Sequence, residues 1–143
     1  MSCTPDKTQF SYLTTINTRW ADNDIYGHVN NVTYYAFFDS AVNRYLINEG
    51  GLDIHTSPVI AFVVSSRCDY HAPIAYPEDI QVGVRVARLG TSSVTYQVCI
   101  FRLDGDDPIA TGEFVHVFVN RERQASQPIP EQIRTALEKI QIR

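Results

Sequence analysis

The run Arg19-Trp20-Ala21-Asp22-Asn23-Asp24-Ile25-Tyr26-Gly27-His28-Val29-Asn30-Asn31 packs two carboxylates, an imidazole and three amides into one short stretch. Four kinds of chemistry fit those residue types. Asp22, Asp24 and Gly27 match positions 1, 3 and 6 of a calcium loop, but Thr33 stands where the bidentate Glu is required. Asp22, Asp24 and His28 could ligate one metal ion, although no further His or Cys lies at ligand spacing nearby. The same residues could simply build turns and cap a helix. Or a carboxylate could face a helix N-terminus, where free N–H groups near Asn30 to Thr33 favour a developing negative charge. A thioester carbonyl bound there would be polarised as its oxygen becomes an oxyanion. Asp24 could then attack the carbon or deprotonate a water.

Whatever its use, this segment must be positioned by what flanks it. Residues 12–20 alternate, with Tyr12, Thr14, Ile16, Thr18 and Trp20 on one side, which predicts a first strand. Residues 32–50 carry Tyr35, Phe38, Val42, Tyr45 and Leu46 at helical spacing, and Tyr34, Phe37 and Ala41 make a second apolar side. A helix apolar over most of its circumference must be wrapped by other elements. Asn30 or Asn31 is expected to cap its start and Gly50-Gly51 to end it. Strands follow: Val59 to Tyr70, then runs around Ile80 to Val86, Val94 to Ile100 and Phe114 to Val119. Leu89 to Ser93 and Asp104 to Pro108 read as hairpin connections, and the tail from Pro130 to Ile140 as a short helix. One strand, one helix and a run of antiparallel strands make an α+β class, with a curved sheet wrapped around the long helix. No repeat or linker interrupts the chain, so residues 1–143 are read as a single domain.

The bulk composition excludes several partners. The chain has 143 residues, with 44% hydrophobic, 20% charged and a formal net charge of −4. That balance gives no global basic field to hold nucleic acid or an anionic membrane. The N-terminus has no apolar h-region, and the run Val59 to Val64 is too short to span a bilayer. Cys3, Cys68 and Cys99 are odd in number and form no C-x-x-C pair, so three reduced thiols in a cytoplasmic protein are expected.

The segment TRWADNDIYGHVNN with its Tyr-rich helix resembles the hydroxybenzoyl-CoA thioesterase-like branch of the hot-dog superfamily. Tyr70-His71-Ala72-Pro73 is similar to that family's Y-x-x-P, and Arg88-Leu89-Gly90-Thr91-Ser92-Ser93 to its R-x-G-x-S-S hairpin. Together these cover most of residues 12–120 in order. The resemblance implies a hot-dog core over 10–120, a C-terminal extension over 121–143, and an acyl-CoA thioesterase needing no cofactor, since CoA belongs to the substrate. It implies Asp24 as the catalytic carboxylate, Asp22 as support, and Asn31 at the helix start with its backbone amide toward the thioester oxygen. Tyr26, Gly27 and His28 would then lie against substrate. Tyr35, Phe38, Val63 and Val64 would line an acyl tunnel, and Arg88 with Thr91, Ser92 and Ser93 would hold the CoA phosphates. His55, His71 and His116 are read as structural. Hot-dog proteins of this branch join sheets across protomers, so a homodimer or homotetramer with interfacial sites is expected. An acyl carrier protein could replace CoA. Two other functions stay open: a non-catalytic acyl-CoA-binding module, and a hot-dog hydratase or dehydratase.

Overall fold

A computed structural model describes residues 5–142, so Cys3 lies outside the described residues. Five strands form one antiparallel sheet in the order β1-β3-β4-β5-β2. They are β1 (Leu13–Asn17), β2 (Val59–Tyr70), β3 (Asp79–Leu89), β4 (Ser93–Arg102) and β5 (Pro108–Asn120). Helix α1 (Thr33–Asn48) crosses the sheet's inner face, and a short α2 (Glu131–Glu138) packs beside β3.

Strand alternation explains why α1 is enclosed. Val82, Val84 and Val86 of β3, Val98 and Ile100 of β4, and Phe114 and Phe118 of β5 all lie in one buried cluster with Phe38, Ala41, Val42 and Leu46 of α1. Gly112 of β5 makes the closest approach possible, because a Cβ there would sit 2.5 Å from the Phe38 ring. The expectation of a helix apolar nearly all round needs amending, since Asp39, Ser40 and Arg44 form an exposed polar stripe. Phe38 is wholly buried core rather than a tunnel wall.

Three other expectations change in detail. β1 ends at Asn17 instead of running to residue 20, because the Asp22 carboxylate accepts the Arg19 N–H at 2.7 Å and pulls Trp20–Asp22 into a 3-10 turn. Trp20 therefore leaves the strand and is exposed. Val32, not an asparagine, occupies the helix cap position, while the Asn30 side-chain oxygen accepts the Val32 N–H from one turn outside. At the other end the expectation holds: Gly51 takes φ +71, and the Leu52 N–H reaches back to the Leu46 carbonyl.

The C-terminal segment is part of the same core. Ile129, Ile133, Ala136, Leu137 and Ile140 belong to the main buried cluster, and Tyr45 Oη donates to the Ala136 carbonyl. On the sheet's outer face a smaller cluster forms, where Phe10 covers Gly83, Cys99 and Phe101.

Candidate active site

The loop between β1 and α1 is held by its backbone. Asn23 and Val29 pair as an isolated bridge, the Asp24 N–H donates to the His28 carbonyl, and the Gly27 N–H donates to the Asp24 carbonyl. Gly27 closes this tight loop at φ +87, a conformation that favours glycine. Asp24, Tyr26, Gly27 and His28 thus share one small hairpin. The two carboxylates differ sharply. Asp22 is 2% exposed and receives the Arg19 N–H, Nε and Nη2. Asp24 is half-buried, and its Oδ1 accepts only the Tyr26 N–H at 2.9 Å.

The hairpin delivers the chain to the start of α1. The Val29 N–H is bonded to Ile74, the Asn30 N–H to Asp22, and the N–H groups of Val32, Thr33 and Tyr34 to acceptors on Asn30 and Asn31. The Asn31 N–H donates to nothing among the described residues. Asn31 borders an open cleft of about 350 Å³ that Val29, Tyr34, Tyr70, His71, Ala72 and Pro73 also line. The residue at the start of α1 whose N–H is free therefore borders a partly apolar recess, where a backbone donor is of use to an oxyanion. Asp24 is not among the residues lining that recess in the single chain.

The chemistry of the walls is conservative. Tyr70 Oη donates to the Asn31 carbonyl at 2.9 Å, and its ring meets Tyr34 edge-on with centroids 5.0 Å apart. Burial pushes the Tyr70 and Tyr34 phenols above their ordinary range, so both stay protonated. Burial likewise pushes the Cys68 thiol up to about 11, which removes it as a nucleophile at neutral pH. Among the described residues no group of His, Cys, Asp and Glu could hold a metal ion, and no helix is long and apolar enough to cross a membrane.

The remaining candidates lie elsewhere. Val63 and Val64 stand in the middle of β2, the sheet's outermost strand, and are exposed, with a register shift around Val64. Through the pairs Ser93–Val117 and Phe62–Val117, the β3–β4 hairpin aligns with Phe62, eight residues from Tyr70, or about 26 Å along the strand. One chain therefore does not bring Arg88, Thr91, Ser92 and Ser93 to Asn31. The Arg88 side chain is exposed and makes no hydrogen bond or ion pair among the described residues. The hairpin itself is rigid, since Thr91 and Ser92 carbonyls accept from Ile129 and Phe118, and Arg134 Nη2 donates to Gly90 and Thr91.

Residues 18–137 match the thioesterase-like superfamily. The chain belongs to that family. Membership places it among hot-dog thioester hydrolases, in agreement with the curved five-stranded sheet around α1. YsmA of Bacillus subtilis is 31% identical over 118 residues, spanning 81% of this chain and 78% of that protein. The crystal structure of the PA5185 protein of Pseudomonas aeruginosa is 55% identical, covers 96% of each chain and has a TM-score of 0.95. A 1,4-dihydroxy-2-naphthoyl-CoA thioesterase from Synechocystis shares the fold at 16% identity, with a TM-score of 0.81 over 90% of this chain and 96% of that one.

Two wall residues of this thioesterase-like protein escaped the sequence reading as individuals. In the sequence Tyr70 stands only as the first residue of the Y-x-x-P match, and His71 reads as structural. His71 lines the recess while its Nε2 pairs with Thr111 Oγ1 at 3.0 Å. Their position at the C-terminal end of the strand beside the helix start was the available signal.

Proposed function

We propose that the protein hydrolyses an acyl-CoA thioester, with Asp24 as the reactive carboxylate and the Asn31 amide as the oxyanion donor. The observation carrying this reading is the uncommitted Asn31 N–H at the mouth of α1, opening on a recess and preceded on the same loop by a half-buried carboxylate. In the water route Asp24 takes a proton from water as the hydroxide adds to the thioester carbon. The carbonyl oxygen becomes an oxyanion at the Asn31 N–H, the C–S bond breaks, and the CoA thiolate leaves and takes up the proton. In the nucleophilic route the Asp24 carboxylate adds to the same carbon, the C–S bond breaks and the CoA thiolate leaves; water then opens the mixed anhydride, releasing the acid, regenerating the Asp24 carboxylate and supplying the thiolate's proton. No cofactor enters either route.

The reading requires a second copy of the chain. The Asp24 loop exposes Ile25 at 95% and Tyr26 at 84%, and β2 exposes Phe62, Val63 and Val64, apolar surface that a second copy would cover. Antiparallel pairing across the open edge of β2 would extend the sheet and reverse the second copy. That reversal brings the second copy's Arg88 and Thr91-Ser92-Ser93 hairpin to this chain's Tyr70 end, where the CoA phosphates need them. It also covers Val63, Val64, Tyr26 and His28, leaving the acyl group between protomers. An acyl-CoA substrate supports a cytoplasmic setting for the reaction.

A thiol-release assay over short, long, branched and aromatic acyl-CoAs, run beside Asp24→Asn, tests the proposal. The variant is expected to lose at least about 10²-fold in kcat, the scale of a positioned base. Equal turnover in both proteins would exclude the mechanism. Micromolar binding without turnover would favour an acyl-CoA-binding module instead.

A further inference from the structure

The start of α1 is tied down by the loop itself and, from the sheet, by the Tyr70 side chain, which shares the Asn31 carbonyl with the Tyr34 N–H at 3.4 Å. The Val29 and Asn30 N–H groups are bonded within the loop and to Ile74, and Val32 and Thr33 are bonded to Asn30. Against these local ties, the Asn31 carbonyl receives the Tyr70 hydroxyl at 2.9 Å from the far end of β2. Tyr70 pairs with Ala110 in the ladder, so its backbone is fixed by the sheet. Its ring is fixed by the edge-on contact with Tyr34, itself buried in the first turn of α1.

We infer that Tyr70 is a positioning residue that holds the Asn31 backbone so that its free N–H faces the recess. The hydroxyl grips the carbonyl of the very residue whose amide is uncommitted, and a rotation of that segment would lose both the grip and the aim. A donor held before reaction costs no reorganisation as charge develops, so the tie acts on the chemical step rather than on binding. The inference rests on the proposed role of the Asn31 amide. Because burial keeps the phenol protonated well into alkaline solution, the grip persists across the working range of the enzyme.

Tyr70→Phe removes one oxygen and keeps the ring against Tyr34. On an acyl-CoA that the wild-type protein turns over, kcat is expected to fall about 10-fold, the scale of one hydrogen bond, with KM within about two-fold. Amide hydrogen exchange at residues 29–35 should quicken in the same variant, a readout independent of turnover. An unchanged kcat, or unchanged exchange, overturns the inference. If the wild type proves inactive while Asn31 exchange still responds to Tyr70→Phe, the thioesterase mechanism fails and the mechanical tie stands. 3-Fluorotyrosine at position 70, should Phe prevent folding, keeps the donor but ionises at lower pH. Because the donor is kept, kcat and the exchange of residues 29–35 must then stay within about two-fold of wild type near neutral pH, and a roughly 10-fold loss also overturns the inference.

Discussion

Two carboxylates two residues apart serve opposite ends because of what surrounds them. Asp22 takes three Arg19 donors and is buried, so it fixes the turn and lies out of a substrate's reach. Asp24 keeps an oxygen free of protein donors. Asp22→Asn should therefore lower the thermal midpoint by about 5 °C, and Asp24→Asn should cost rate with little loss of stability, as calorimetry and the thiol-release assay together would show. His116 supplies the clearest pH effect. It lies under α1 with its Nδ1 3.2 Å from Tyr96 Oη, and burial pushes its imidazole down to about 4. The unfolded chain binds this proton near pH 6.5 and the folded one only near 4, so stability is intact above pH 6.5 and falls as pH drops between the two values. The loss should reach roughly 3 kcal/mol by pH 4 in denaturant titrations, and His116→Gln should flatten that slope. The Asp22–Asp24 pair was legible in the sequence as polar spacing. The family resemblance gives Asp22 the supporting part, but the residue types alone do not, because that depends on where the Arg19 side chain folds back.

At the scale of elements, β5 is the strand that sets distances. It lies between β4 and β2, and at Gly112 it lets Phe38 rest against the backbone. A methyl group there meets both the Phe38 ring and the Arg67 carbonyl of β2, at 2.5 and 2.8 Å. Gly112→Ala is expected to destabilise the fold by about 1–3 kcal/mol, measurable by urea unfolding, as α1 or β2 is forced outward. The strands themselves are readable from alternation: Val59–Tyr70 matches its sequence range, while β3, β4 and β5 contain the runs read for them and extend beyond, β5 starting as early as Pro108. The alternation overruns β1, which ends at Asn17, because Thr18 and Trp20 keep the pattern while their hydrogen bonds go elsewhere. Thr18 Oγ1 donates to the Glu78 carbonyl, and Trp20 opens the 3-10 turn. Patterning reports a preference and is blind to the partner that overrides it.

At the scale of the molecule, the recess at Asn31 and the hairpin at Thr91-Ser92-Ser93 sit at opposite ends of one sheet, and β2 offers its open edge between them. If a second copy pairs there, light scattering should give a mass of two or four chains. Val64→Lys, a charge on that edge, should then yield a folded monomer with no turnover. A folded, active monomer would refute the shared site. None of this was legible from residue spacing, because a single sequence reports which residues are near in the chain and not which copy brings them together.

The small cluster on the sheet's outer face has its own implication. Phe10 roofs Gly83, Cys99 and Phe101, and Lys7 anchors the segment through the Arg102 and Leu103 carbonyls. Clipping by a protease ahead of Tyr12 would strip that shingle, leave Phe101 wet and turn a quiet surface adhesive, so nicked preparations should precipitate while intact ones stay clear.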